Sequence, residues 1–383
     1  MDFSVKPNGG SPSPSSSTTP HRFKPSAATA SDRDPMHSWW ESVSKQRSRI
    51  LSLSSLLSGG DEAPISSLAD SDRPALSLLS SRPAYSLISA SLRDPSSGSG
   101  SDPLCQWLYE TYLSSDQPLR LVVLSFLPLL AGTYLSRIHS SDSSSLPSLS
   151  GFEAVLLAIY AAEVKSRAGK GVLVHIPDLS QPSLYHTPRN GVDRSRDSNH
   201  VGSVGVLSPQ LEPQVAVKST KRAGIVGVGM QCYFKEISQM PAWSKLELCS
   251  FAGAWAAEEE EEEEEEQVIS SNGVGVGVGG GGVRIPLPWE LLQPILRILG
   301  HCLLSPLNSE DVKDAASNAV RSLYARASHD LNPQAILATR SLVNLDASAR
   351  AAAKTASAES VDGSSNVNTP SKSKKPEIFL SSK

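Results

Sequence analysis

LRLVVLSFLPLLAGTYL, residues 119–135 of a 383-residue chain, decides the fold class. The stretch is shorter than the roughly 20 residues needed to cross a bilayer, carries Arg120 and is interrupted by Pro128. It reads as a buried helix running on to Ile138, kinked at Pro128. Its neighbours repeat the pattern. Upstream, Asp102 and Pro103 form an N-cap followed by proline at the first helical position, where a missing N–H costs nothing. Leu104, Trp107, Leu108 and Tyr112 then recur at helical spacing. Downstream, residues 151–167 place Phe152, Val155, Leu156, Ile159 and Tyr160 on one face. Three consecutive packed helices are expected here.

Working outward, Trp39 and Trp40 precede a Leu-rich amphipathic run, Ile50, Leu53, Leu56 and Leu57, which Gly59 and Gly60 end. An N-terminal helix docked on its own core is the expected role of the tryptophan pair. Short helices follow over 73–80 and 82–92, each with proline near its start. On the other side, Val172–Ile176 is a β-like run, followed by an extended, proline-punctuated segment over 178–188. Residues 190–226 read as a mobile loop, and 232–257 as helix-compatible with a break at Pro241. Leu291, Leu292, Ile295, Leu296, Leu299, Cys302 and Leu303 mark another apolar helix, with Pro294 a kink or restart. Asn308 is expected to cap the next helix, whose stripe is Val312, Ala316, Ala319, Leu323 and Ala327. Asn332 and Pro333 open a last one through Ile336, Leu337 and Val343 to Leu345, all expected to be buried.

The class is therefore all-α: a multi-helix single domain over residues 36–346, with flexible inserts at about 190–226 and 258–283. A disordered leader, 1–35, and a disordered basic tail, 347–383, flank it. Composition agrees. Hydrophobic residues make up 39% and charged ones 19%, so the chain is too polar to pack throughout.

The net charge of −4 hides a basic remainder. Nine acids form one run, Glu258 to Glu266; without it, 35 basic residues face 30 acidic ones. No basic patch alternates with aromatics, so nucleic acid is not an expected partner. The Glu run repels itself and lacks the turn residues of a calcium loop, so it reads as a solvated spacer. In the tail, Lys372, Lys374 and Lys375 would add about 1 kcal/mol each against an anionic membrane, an assisting contribution only. Cys105, Cys232, Cys249 and Cys302 are widely spaced, as small core residues of a reducing compartment are.

No catalytic pattern emerges. Gly275, Gly277 and Gly280 fit G-x-G-x-x-G but lie in a Gly/Val repeat without the strand–turn–helix context that aims amides at a pyrophosphate. His175 and His186 bracket the extended segment without a paired nucleophile or orienting group. No catalytic, cofactor-binding or metal-ligating residue is assigned.

Four stretches carry a family resemblance. DPLCQWLYETYL with PLRLVVLSFLPLLAGTYL (102–113, 118–135) is similar to the N-terminal helical block of the hyccin family. GFEAVLLAIYAAEV and VLVHIPDLSQPSLYHTP (151–164, 172–188) resemble its most distinctive stretch. Its most specific piece is Ser183, Leu184, Tyr185, His186 and Pro188. RIPLPWELLQPIL (284–296) and AVRSLYARASHDLNPQAILATRSL (319–342) also fit, and the Glu and Gly/Val inserts make the whole look plant-type.

The resemblance implies a non-catalytic subunit of a plasma-membrane phosphatidylinositol 4-kinase alpha complex. Such a subunit binds and stabilises a helical-repeat (tetratricopeptide-type) scaffold, while a separate membrane-anchoring subunit supplies the attachment. It implies no cofactor, and a place in the cytosol and at the cytoplasmic face of the plasma membrane through indirect association. The alternative is a generic helical interaction module unrelated to phosphoinositides. For either, the apolar faces of residues 119–138 and 291–304 are candidate contacts, with core packing the competing fate.

Overall fold

The computed structural model describes residues 35–57, 63–139, 148–176, 203–257 and 288–362. The chain divides into two units, Met1–Ser42 and Val43–Lys383. Of the first, the described part is the opening of α1 (Pro35–Leu57), where Trp39 and Trp40 pack edge to face at 5.0 Å. Both indoles are about half exposed.

In the second unit the rest of α1 is tied down by polar bonds. Arg49 donates to the Trp107 carbonyl and to the Thr111 hydroxyl and pairs with Glu110 at 2.9 Å; the Trp107 indole donates back to the Arg49 carbonyl. The short α2 (Ala63–Ser66) and a 3-10 turn lead into α3 (Pro74–Ser80) and α4 (Arg82–Arg93). Pro74 and Pro83 sit in the first turns of these helices, and Ser81 caps α4 through the Ala84 N–H.

Helix α5 (Pro103–Leu113) starts where the Asp–Pro pair places it. One Asp102 carboxylate oxygen accepts from Leu104 and Cys105 N–H; the other accepts from Gly98 N–H at 2.7 Å. Gly98 has φ +88, a conformation only glycine adopts without strain, so Asp102 caps the helix and closes the turn before it. Asp102→Ala is therefore expected to cost about 1–2 kcal/mol, at the upper end for a cap, measured as a shift in denaturation midpoint. An unchanged midpoint would refute this role.

The 119–138 stretch is two helices, not one: α6 (Gln117–Ser125) and α7 (Leu127–His139), bent by 41°. Pro128 has no N–H to give to the Leu124 carbonyl, so the ladder breaks at Phe126, whose N–H turns to Val123 at 3.2 Å. Both helices bury most of their apolar residues, Tyr134 completely. Helix α8 (Ser150–Arg167) follows and ends on Ala168 in the left-handed region.

Strand β1 (Val172–Ile176) pairs antiparallel with β2 (Ser203–Ser208). Then come α9 (Ser219–Lys235) and α10 (Ala242–Ala257). Residues 203–208 and 219–226 are thus strand and helix, where the sequence reads as a loop. Helix α11 (Trp289–Leu304) passes through Pro294 without a restart and buries its stripe.

Before α12 (Glu310–His329) the capping residue is Ser309, not Asn308. Asn308 is buried and faces backwards: its amide donates to the His301 and Cys302 carbonyls at the end of α11 and accepts from Lys245 Nζ at 2.8 Å. Asn332 and Pro333 open α13 as expected, but the helix continues to Asp362. Its contact side is narrow: Ala335, Thr339 and Asp346 are buried, while Leu337 and Leu345, expected inside, are 69% and 48% exposed.

Candidate functional site

Ser183, Leu184, Tyr185, His186 and Pro188, expected from the resemblance to be its most specific piece, lie outside the described residues. So do the Glu run, the Gly/Val repeat and the three tail lysines. His175 sits on β1 in register with Val204. Among the described residues, no three His, Cys, Asp or Glu side chains converge on a metal-sized site. The candidate contact helices α6, α7 and α11 spend their stripes on the core, so an exposed apolar surface is to be sought at their ends and beside them.

The ribbon supplies one part. Leu173 and Val206 are register partners, so they share a face of the two-stranded sheet, and they are 58% and 67% exposed. A charged node fixes this ribbon to the helices. Glu163, on the buried side of α8, accepts from Arg167 one turn on and from Lys235 on α9. Arg167 reaches the Ser208 hydroxyl at 3.0 Å and the Gln231 side-chain oxygen at 3.1 Å. Cys232 completes the node with its thiol toward Glu163, and burial pushes that thiol up to about 12. Burial also pushes the Glu163 carboxyl up, but the Lys235 and Arg167 hydrogen bonds and charges outweigh it and hold the group below the ordinary range. One carboxylate thereby fastens α8, α9 and β2 together.

Beside the ribbon runs a groove. Its first part, about 660 Å³, lies between β2, the start of α9 and the start of α11, and includes Val206, Leu211, Ile225 and Trp289. Trp289 and Gln293 also line a second, mainly apolar part of about 280 Å³ between α11 and α13, with Leu296, Gly300 and Leu342. The shared residues make the two parts neighbours. Arg297 edges the second part and lies over the Phe234 ring at 4.1 Å. Trp289, 38% exposed, stands where the two parts meet.

Residues 69–380 match the family model for hyccin, over four-fifths of the chain. The chain belongs to the hyccin family. The hyccin match spans α3 to α13, the ribbon and the three intervening segments that the structure leaves undescribed. Helix α1 precedes it, yet Gln46 bonds to Asp116, the cap of α6, so the part of this helix from Val43 on is built into the hyccin domain.

Sequence reasoning did not single out Glu163, Leu173, Val206 or Trp289. A signal existed for two of them: a carboxylate inside an apolar stripe with arginine four residues on, and the period-two alternation of SVGVLS.

Proposed function

We propose that this chain is a non-catalytic adaptor of a phosphatidylinositol 4-kinase complex that docks on a helical-repeat scaffold and so supports phosphatidylinositol 4-phosphate synthesis. Membership of the hyccin family carries the reading. The apolar groove from Val206 past Trp289 to Leu342 supports it, because a Trp flanked by aliphatic side chains on a folded rim is the composition of a protein-binding hot spot. Membrane attachment comes from another subunit on this reading: no single described helix is long and apolar enough to cross a bilayer, and the bent α6–α7 pair is largely buried in the core.

The test is recovery of the scaffold and the kinase with the tagged chain at native expression. Wild type is expected to recover both. Trp289→Glu and Leu173→Glu are expected to lower recovery at least tenfold with little change in melting temperature, since both side chains are exposed. A chain that recovers neither protein would defeat the adaptor reading.

A further inference from the structure

A second concavity, away from this groove, has the make-up of a small-molecule site. It is a cleft of about 360 Å³ between α4, α7 and α10, within the size range of ligand pockets. Helices α7 and α10 pack against each other across it. Gly132 faces the Phe251 ring, and Ser136 and Trp255 both line the cleft.

The polar groups of this cleft are unevenly spent. Glu247 is satisfied: it accepts from the Tyr85 hydroxyl and pairs with one Arg93 nitrogen at 2.5 Å. Arg93 also interacts with the Tyr85 hydroxyl, and its side chain is half exposed. Arg137 is held rigidly by the Arg93, Asp94 and Ser97 carbonyls. The Asp94 carboxylate is turned to Ser96. Thr133, Ser136 and Ser250 line the cleft with hydroxyls that bond to no described residue. Trp255 is 2% exposed, and its indole N–H has no acceptor among the described residues. A buried unpaired donor costs about 1–3 kcal/mol and points to a missing acceptor. The rest of the lining is apolar: Leu129 and Pro128 on one side, and Phe251 and Trp255 on the other, their rings stacked at 5.8 Å and within 6° of parallel.

We propose that this cleft binds a small amphipathic anion, its phosphate or carboxylate head near Arg93, Ser136 and the Trp255 indole, and its apolar body against Phe251 and Leu129. Arg93 presents a half-exposed guanidinium at the cleft beside Glu247, and the hydroxyls and the indole add neutral donors that suit the oxygens of an anion. The stacked rings and aliphatic wall exclude water from the body of such a ligand and distinguish it from a free inorganic ion. This site is independent of the adaptor reading, since it shares no residue with the groove at Trp289.

The test is the indole region of the 15N–1H spectrum of the full-length chain. Six tryptophans give six indole signals, and Trp255→Phe identifies the one that matters. Phenyl phosphate is expected to move the Trp255 signal saturably, inorganic phosphate to do so at least tenfold more weakly, and benzyl alcohol not to move it. Arg93→Gln is expected to weaken phenyl phosphate about 10- to 100-fold, the loss of one charge-assisted contact. Ser136→Leu, which fills the cleft without removing charge, keeps the test meaningful if the Arg93 variant unfolds, and is expected to abolish the shift. No shift with phenyl phosphate, an equal response to benzyl alcohol, or a shift that survives Ser136→Leu would overturn the proposal.

Discussion

Glu163→Leu is expected to destabilise the protein by about 3–5 kcal/mol, a large part of the 5–15 kcal/mol that a domain of this kind has. The carboxylate and the Arg167 guanidinium are both more than nine-tenths buried, and each needs the other. With leucine at 163, Arg167 keeps its bonds to Ser208 and Gln231 but loses its counter-charge inside the protein. Glu163→Gln keeps the acceptor and the shape, so it should cost less. Glu163→Leu combined with Arg167→Met should regain much of the loss, because removing both charges removes the desolvation penalty as well. Urea midpoints at neutral pH measure all three, and additive losses in the double variant would show that the two residues do not act as a pair.

The same node sets a pH signature. The folded state holds the Glu163 carboxyl below its ordinary value, so its contribution to stability is fully present above the ordinary glutamate range near 4.5. It fades as pH falls from there through the lower folded value. Wild type should therefore lose stability on acidification more steeply than Glu163→Leu, and the two curves should converge at low pH. Parallel curves would show that the carboxylate is not the group responsible.

Much of this architecture was legible from local chemistry. Asp102–Pro103 and Asn332–Pro333 open helices because capping is decided within four residues, and no tertiary contact competes with it. The stripes of α8, α11 and α12 were readable because they face the core over most of their length. Where the reading missed, the deciding contact lay far away in the chain. Asn308 and Ser309 are both good N-caps, and Lys245, 63 positions away, together with the His301 and Cys302 carbonyls, draws Asn308 backwards. Residues 347–362 looked like a tail because they are short of large apolar side chains, yet alanine is the strongest helix former and α13 simply continues. The surface was less legible than the core. A leucine such as Leu337 and one such as Leu299 look alike in a helical stripe, and only packing tells that the first is 69% exposed and the second fully buried.

Helix α9 is the clearest case, and it yields a prediction in which one substitution has opposite signs at two positions three residues apart. Its GIVGVGM segment resembles a linker because glycine costs a helix about 1 kcal/mol relative to alanine. On propensity alone, Gly224→Ala and Gly227→Ala should both stabilise. At Gly224 a methyl group would meet nothing within 4 Å, so the gain of about 0.5–1 kcal/mol should be realised. At Gly227 the methyl would be driven into the Glu290 carbonyl oxygen, with the carbonyl carbon at 3.0 Å and the Leu291 Cα at 3.6 Å. These are backbone atoms in the first turn of α11 and cannot rotate away. The helices must separate, and overpacking of this kind costs about 1–3 kcal/mol or more, which outweighs the propensity gain. Because Trp289 precedes the contact by one residue, the displacement should also reach the groove, and scaffold recovery should fall with stability. Gly227→Val should be worse in both respects. Thermal denaturation of the variants side by side decides the matter. If Gly227→Ala melts at or above the wild-type temperature, close approach of α9 and α11 is not what this glycine is for.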